Sequence, residues 1–375
     1  MIYLDSAATT LQKPPAVIRA MADAARTCAS PGRGGYAAAR KAENILFQCR
    51  TTAAELFDAD GPEQVVLTYN ATHALNLAIR TLVKSGASVA ISAWEHNAVT
   101  RTLSSIPEVS VRVAEAPLFD DEATLSAFSR LLEQRPDAVV CTAVSNVFGY
   151  RLPMDGIADL CRDWSVPLIV DASQAAGGVP VSLRRWGAAF TACPGHKGLY
   201  GPQGTGLLLC GGTLPEPLLT GGTGSDSVLQ TMPAYLPDRG EAGTQNVTGA
   251  AGLLAGMRFV RAVGVERIGA YETALRRRLA EQLKGSGIRI FNTAEHCQTG
   301  VLSIVIPGVD CQEAAERLAG AGIAVRAGLH CAPLAHRSAG TLDSGTVRLS
   351  VSALNRPGEM DAAARALRHM IRTGK

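Results

Sequence analysis

Short apolar runs alternate with stretches of helical spacing through the first two thirds of the chain. The apolar runs fall at residues 65–68, 87–92, 137–144, 166–170, 188–193 and 206–210. Segments 72–83 and 157–164 have helical spacing, with Leu75, Ile79 and Leu82 on one face of the first. Strands that are apolar on both faces and alternate with helices are typical of a parallel sheet covered on both sides. The pattern predicts an α/β fold.

The last third of the chain predicts a smaller α/β unit. A helix rich in alanine and glycine at 247–263 leads into it. Strands at 301–306, 323–326 and 346–351 and helices at 311–319 and from Pro357 follow. We therefore predict a large domain over residues 16–255 and a small domain formed by residues 1–15 and 256–375.

Composition excludes several classes of protein. The 36 Lys and Arg against 33 Asp and Glu leave a net charge of +3, which predicts neither nucleic acid nor a membrane surface as a partner. No basic and apolar leader opens the chain and no apolar run is long enough to span a bilayer, so we expect a cytoplasmic protein. The nine cysteines form no Cys-x-x-Cys pair, so no metal site is predicted.

Polar residues follow the predicted strands where each strand ends. They are Asn70-Ala71-Thr72, Glu95-His96, Ser145-Asn146, Asp171 with Ser173-Gln174, and Gly195-His196-Lys197. Ligands of open parallel sheets bind beyond the carboxyl ends of the strands. We therefore predict that these five segments form one ligand site.

Asp171 and Lys197 carry the most specific chemistry in that set. Asp171 follows four apolar residues, and a buried carboxylate there needs a cationic partner such as a protonated pyridine nitrogen. Lys197 lies among glycines, which suits close approach to an aldehyde carbon. Taken alone, Asp171 favours a helix cap, and a solvated surface position is the usual one for a lysine such as Lys197. Together they predict a pyridoxal 5'-phosphate (PLP) site.

Thr72 and His96 have two interpretations each. Thr72 begins a helix, where backbone N–H groups bind phosphate, but it also suits a plain N-cap. His96 suits stacking on a cofactor ring, or a hydrogen bond to a loop carbonyl.

Ten segments, in order along nearly the whole chain, resemble the cysteine desulfurase and selenocysteine lyase family of the class V, fold-type I PLP enzymes. They are residues 3–10 (YLDSAATT), 33–34 (RG), 70–76 (NATHALN), 95–96 (EH), 145–149 (SNVFG), 170–175 (VDASQA), 195–197 (GHK), 241–246 (EAGTQN), 325–332 (VRAGLHCA) and 347–350 (VRLS). The resemblance implies a large domain with a mostly parallel seven-stranded sheet and a smaller C-terminal domain that carries a catalytic cysteine.

The resemblance also implies how the cofactor is held. Lys197 would bind PLP covalently and move the Cα proton, Asp171 would keep the ring nitrogen protonated, and His96 would stack on the ring. The remaining cofactor contacts would come from Ala71, Thr72, Asn146, Gln174 and His196, with Thr244 reaching in from the partner subunit of a homodimer.

The substrate would be L-cysteine or L-selenocysteine, with Arg348 and Asn146 on its carboxylate and Arg326 and Arg33 close by. Cys331 would take the sulfur or selenium, leave alanine, and pass its cargo to an acceptor protein. The thiolate is the reacting form, and His330, Arg326 and the bound cofactor are expected to favour it.

Three positions depart from the family pattern. Pro194 stands where a phosphate-binding serine is usual, and proline offers neither a hydroxyl nor an N–H. His73 replaces a common glutamate, and Leu329 a frequent histidine. These departures leave the substrate preference open. Two alternatives remain: another class V reaction, such as transamination or β-elimination, and a non-catalytic sulfur carrier.

Overall fold

The structure, a computed structural model, describes residues 1–32, 34–294 and 297–373, so the predicted substrate residue Arg33 lies outside the described residues. The strands are β1 (Ile2–Tyr3), β2 (Val65–Thr68), β3 (Ser88–Ser92), β4 (Ser110–Ala114), β5 (Ala138–Thr142), β6 (Leu168–Asp171), β7 (Phe190–Pro194), β8 (Gly206–Cys210), β9 (Arg289–Phe291), β10 (Val301–Val305), β11 (Ile323–Ala324), β12 (Arg326–Gly328) and β13 (Thr346–Ser350). The helices are α1 (Pro15–Thr27), α2 (Ala37–Leu56), α3 (Ala71–Leu82), α4 (Asn97–Ser104), α5 (Asp121–Leu132), α6 (Met154–Asp163), α7 (Leu183–Trp186), α8 (Val247–Val263), α9 (Val265–Leu283), α10 (Cys311–Gly320), α11 (Pro333–Ser338) and α12 (Pro357–Thr373).

A seven-stranded sheet forms the larger core, in the order β2-β8-β7-β6-β5-β3-β4. β8 is antiparallel to both neighbours and the pairs among β7, β6, β5, β3 and β4 are parallel. Alternate residues of each strand face opposite layers. Ile169 packs in one cluster with Leu75 of α3, and Val170 in another with Phe128 of α5 and Ile157 of α6. Burial on both faces explains the continuous apolar runs in the sequence, and the predicted mostly parallel sheet is confirmed.

A second, antiparallel sheet has the order β12-β13-β10-β9. Its buried face, including Leu302, Ile304 and Leu349, packs with Met360 and Leu367 of α12 in a separate apolar cluster. Burial of this face stabilises the four-stranded sheet. Residues of the same sheet outside that cluster, such as Arg326 and Arg348, are not needed for this packing.

The prediction of one strand at 323–326 was wrong. Ile323 and Ala324 form β11, which pairs in parallel with β1, whereas Arg326 begins β12, which pairs with β13. The partners that divide this segment lie far away in the sequence, so the local apolar pattern does not reveal the break.

The N-terminal segment joins both sheets. Leu4 accepts a hydrogen bond from the backbone N–H of Ser350, and the N–H of Ser6 donates to the Ser350 carbonyl. This pairing brings residues 5–10 to the loops that follow β6 and β7. The division into domains at residues 16–255 and 256–375 stays a prediction.

The loops after β6 and β7 touch backbone to backbone. Gly177 has φ +97°, and a Cβ atom there would lie 2.1 Å from the carbonyl oxygen of Gly198, the residue after Lys197. A Cβ on Gly198 would lie 2.3 Å from the carbonyl oxygen of Ala176. The position of the Lys197 turn therefore requires glycine on both sides of the contact.

Gly177→Ala should lower the free energy of unfolding by about 3 kcal/mol or more, because left-handed strain and steric overlap add. Gly204→Ala is the matched control, since Gly204 has φ +76° and no atom within 4 Å of a built Cβ. It should lose only about 1 kcal/mol, from strain alone. Urea unfolding measures both, and equal losses would contradict the close contact.

Candidate active site

A cavity of about 220 Å³ opens at the carboxyl ends of β5, β6 and β7. Of the predicted site residues, it is lined by Ala71, Thr72, His96, Asn146, Asp171, Gln174, His196, Lys197, Arg326, Cys331 and Arg348. Thr244 is exposed on the segment before α8 and is not among the lining residues. The predicted convergence of the five segments is therefore present in the structure, although the role of each residue stays a prediction.

A larger cleft of about 880 Å³ shares Lys197 and Gln174 with this cavity. It runs along α9 and contains neither Cys331 nor Arg348. The smaller cavity is the better candidate because it combines a thiol, an amine and a buried guanidinium.

The N-terminal segment holds the turn that carries Lys197. The carbonyl oxygen of His196 accepts hydrogen bonds from the Thr10 N–H at 3.1 Å, the Thr10 hydroxyl at 3.0 Å, the Thr9 hydroxyl at 3.2 Å and the Lys13 amine at 3.2 Å. Four donors on one carbonyl anchor the peptide next to Lys197 to the N-terminal segment, so the lysine approaches the cavity from a rigid base.

The pKa of Lys197 is lowered from 10.5 to about 8, chiefly by burial; Asp171 and Asp5 act to raise it, and the cations Arg348 and Arg326 act to lower it. A lysine with a lowered pKa has more of the neutral amine that attacks an aldehyde. The alternative of an ordinary solvated lysine does not fit this environment.

Asp171 ends β6 with only 3% of its surface exposed. Its Oδ1 accepts a hydrogen bond from the Ser173 N–H at 2.9 Å, and the chain continues as a turn. The helix-cap interpretation was therefore wrong, because no helix starts at this point. A buried carboxylate on the wall of a cavity suits a cationic ring nitrogen.

The phosphate end of the candidate cofactor site is the first turn of α3. Asn70 is the N-cap, and its Oδ1 accepts from the His73 N–H at 2.8 Å, so the N-cap interpretation of Thr72 was wrong. The N–H groups of Ala71 and Thr72 lie in the first turn, where they have no intrahelical acceptor. These groups suit an anionic phosphate.

His196 adds a ring nitrogen to the same end. Its Nδ1 is buried without a hydrogen-bond partner, and burial, with the charges of Lys197 and Lys13, lowers its pKa to about 4. The imidazole is therefore neutral at pH 7, and its unpaired nitrogen fits a bound polar group. With Asp171, Lys197 and α3, the residues present fit PLP at both of its ends.

His96 is the N-cap of α4, and its Nδ1 accepts a hydrogen bond from the Ala98 N–H at 3.0 Å. Burial lowers its pKa, although Asp171 opposes the shift. The ring is therefore neutral with its proton on Nε2. Because Nδ1 accepts a hydrogen bond, it cannot donate one to a loop carbonyl. The ring lines the cavity, where a cofactor ring could stack on it.

Arg348 has 2% of its surface exposed and binds two groups. Its Nη2 donates to Asp5 Oδ1 at 2.9 Å and its Nη1 to the Asn146 carbonyl at 2.9 Å, while its Nε is buried without a partner. Asn146 donates from Nδ2 to the His330 carbonyl at 2.7 Å, and its Oδ1 is buried without a partner. Unpaired buried groups on both residues suit a small polar substrate.

Cys331 is exposed at the cavity, and its carbonyl accepts a hydrogen bond from the Asn97 N–H at 2.7 Å. Of the nine cysteines, the other eight are buried or half-buried, and burial raises the pKa of Cys49 to about 12. Burial and nearby cations lower the pKa of His330 to about 2, so His330 is neutral. A neutral His330 supplies no positive charge to Cys331, and the guanidinium groups of Arg326 and Arg348 line the same cavity.

Sequence reasoning assigned no role to Asp5, Ser173 or Asn97. Asp5 lies within the quoted N-terminal motif, but its partner Arg348 is 343 residues away. Asn97 acts through its backbone N–H, which no side-chain pattern reveals. The four hydrogen bonds to His196 also end on a backbone group, its carbonyl oxygen, so the sequence does not reveal them.

Comparisons with known proteins show the family to which this chain belongs. The family model described as aminotransferase class-V matches residues 2–362. The chain belongs to this family. Its resemblance to PLP-dependent enzymes and the predicted PLP cofactor are thereby confirmed, since class V aminotransferases depend on PLP.

A probable cysteine desulfurase of Mycolicibacterium paratuberculosis is 33% identical over 389 residues, which cover all of this chain and 56% of that protein. The chain thus spans little more than half of that relative. A probable cysteine desulfurase of Methanothermobacter thermautotrophicus is 32% identical over 392 residues, covering all of this chain and 95% of that protein.

Among solved structures, the apo cysteine desulfurase from Thermococcus onnurineus NA1 matches with a TM-score of 0.90 and 27% identity, over 99% of this chain and 95% of that chain. The predicted fold-type I architecture is confirmed by this match. Within the described residues, no helix is long and apolar enough to cross a membrane, and no group of three or more His, Cys, Asp or Glu side chains is placed to hold a metal ion.

The lowered pKa of Lys197 makes a prediction for the cofactor-free protein. The rate of PLP capture should rise with pH, because only the neutral amine reacts, and should level off near pH 8 instead of 10.5. Stopped-flow absorbance measures the rate, with Nα-acetyl-lysine as the unperturbed control. A rate that keeps rising above about pH 9 would contradict the lowered pKa.

Proposed function

We propose that this chain is a PLP-dependent cysteine desulfurase that converts L-cysteine to L-alanine and leaves the sulfur as a persulfide on Cys331. The observation that carries the proposal is the exposed thiol of Cys331 on the wall of the cavity that also contains Lys197, Asp171 and Arg348. The cysteine desulfurases named among its relatives support the same activity.

Arg348 and Asn146 bind the substrate carboxylate in this proposal. Arg348 offers its unpaired Nε–H, and its two other hydrogen bonds hold the guanidinium plane in place. A guanidinium fixed in this way presents a planar, directional donor set. Arg326, exposed at the rim, supplies a second cation along the path of entry.

In this proposal Lys197 and His96 transfer protons, and Asp171 keeps the cofactor nitrogen protonated. Lys197 and Asp171 would hold PLP, which would withdraw electrons from the substrate Cα. Lys197 takes the Cα proton, for which a pKa near 8 leaves a useful neutral fraction. His96, neutral with its proton on Nε2, is placed to exchange a proton at the same cavity wall.

Cys331 accepts the sulfur. Its thiolate attacks the substrate sulfur, a new S–S bond forms, and the bond from that sulfur to Cβ breaks. The electron pair stays with Cβ, which takes up a proton, so cysteine and the Cys331 thiol give alanine and a Cys331 persulfide without any external oxidant or reductant.

L-selenocysteine is proposed as a second substrate, since selenium is a softer target than sulfur for the Cys331 thiolate. We further propose a homodimer in which Thr244, exposed on its own subunit, completes the partner's site, and a cytoplasmic acceptor protein that takes the sulfur. Residues 16–255 would form the cofactor domain, and residues 1–15 with 256–375 the domain that carries Cys331. Light scattering tests the dimer, and alanine release from selenocysteine tests the second substrate.

The two alternatives differ from the proposal in how they use Lys197 and Cys331. Another class V reaction would need Lys197 but tolerate Cys331→Ala. A sulfur carrier without catalysis would show no PLP absorbance that depends on Lys197.

Cys331→Ser should reduce alanine formation from cysteine by roughly a thousandfold or more, because it removes the sulfur-accepting nucleophile. The wild type should release alanine and, with reductant present, an equal amount of sulfide. Cys311→Ser is the matched control, since Cys311 is half-buried at the start of α10 and does not line the cavity.

Alanine and sulfide assays on the three proteins measure this difference. Wild-type activity in Cys331→Ser would remove Cys331 from the mechanism. A wild type that makes no alanine from cysteine or selenocysteine would overturn the proposed function.

A further inference from the structure

His330 and Cys331 form a strained dipeptide. Both residues have positive φ, +48° and +56°, in the left-handed region that residues with side chains seldom adopt. Such strain persists only where surrounding contacts determine the conformation. The contacts on His330 therefore govern where Cys331 lies.

The backbone of this dipeptide is held at two points. Asn146 Nδ2 donates to the His330 carbonyl at 2.7 Å, and the Asn97 N–H donates to the Cys331 carbonyl at 2.7 Å. Asn146 lies in the loop that follows β5, and Asn97 is the first residue of α4, which follows β3.

The His330 ring is held by a buried chain of hydroxyl groups. His330 Nε2 lies 3.1 Å from Thr346 Oγ1, which lies 3.4 Å from Ser303 Oγ, which lies 2.6 Å from the Val147 carbonyl. Thr346 and Ser303 are fully buried, and His330 is 6% exposed. This row of hydrogen bonds ends at Val147, the residue after Asn146. The segment 146–147 therefore supports both the carbonyl and the ring of His330.

The direction of this chain follows from its last acceptor. The Val147 carbonyl can only accept, so Ser303 donates to it and has a lone pair for the Thr346 hydroxyl. Thr346 then has no proton left for His330 and must accept from Nε2. The Thr346 carbonyl, 3.3 Å from the same Nε2, requires the same polarity. His330 is therefore neutral with its proton on Nε2, and its buried Nδ1 has no partner.

We propose that Thr346 and Ser303 are positioning residues for Cys331, which they hold in place by fixing the tautomer and orientation of His330. The proposal rests on the function proposed above and adds to it a pair of residues that touch neither cofactor nor substrate. Because neither residue lines the cavity, losing their hydroxyls should affect sulfur transfer to Cys331 and spare the binding of cofactor and substrate.

Kinetics on a matched pair of variants test the proposal. Thr346→Val keeps the shape and removes the hydroxyl, and should lower kcat for alanine formation roughly tenfold, the effect expected for one hydrogen bond. KM for cysteine and the cofactor absorbance should stay unchanged, since Arg348 and Lys197 are untouched. Thr346→Ser keeps the hydroxyl and should recover wild-type kcat to within about twofold.

Nitrogen chemical shifts of histidine give a readout that needs no activity. In the wild type labelled with ¹⁵N-histidine, the resonance of His330, assigned by its loss in His330→Gln, should show the tautomer protonated at Nε2. Thr346→Val and Ser303→Ala should both shift it towards a mixture of tautomers. This readout stands even if the wild type makes no alanine, so it separates the proposal from the proposed function.

Three results would overturn the proposal. They are a wild-type His330 protonated at Nδ1, a Thr346→Val variant with unchanged spectrum and kcat, and a Thr346→Ser variant as impaired as Thr346→Val. Should Thr346→Val fail to fold, Ser303→Ala decides by the same kinetic and spectroscopic criteria.

Discussion

Two hydrogen bonds hold the loop that carries Cys331. The loop that carries Cys331 belongs to the four-stranded sheet, and its carbonyls accept from Asn97 and Asn146 at the edge of the seven-stranded sheet. Because two successive residues of this loop have positive φ, the loop keeps its shape only while it is docked. The position of Cys331 therefore depends on contacts between the loop after β12 and residues that follow β3 and β5.

The same region balances buried charge. Arg348, nearly inaccessible, is paired with Asp5 from the N-terminal segment, which also anchors the Lys197 turn through the His196 carbonyl. One short segment thus pairs with the guanidinium of Arg348 and anchors the turn that carries Lys197. Since a buried guanidinium without a partner is costly, the N-terminal segment stabilises the cavity before any ligand enters.

Sequence patterns predicted the central strands well because each is apolar on both faces, and Asp171 and Lys197 were recognisable by the chemistry that follows such strands. They predicted poorly wherever a distant partner decides the structure. The strand at 323–326 divides because β1 pairs with its first half. His330 is neutral because burial and the neighbouring cations both lower its pKa. Asp5 and Asn97 act through a partner 343 residues away and through a backbone N–H, which leave no local signal.

The central claim is that the sulfur of the substrate moves to Cys331. Mixing the PLP-loaded protein with one equivalent of ³⁴S-cysteine, without reductant, and mapping the label by mass spectrometry tests it most directly. The account predicts the label on the Cys331 peptide in an amount equal to the alanine formed. Label on another cysteine such as Cys28 or Cys311, or free labelled sulfide with Cys331 unmodified, would contradict it.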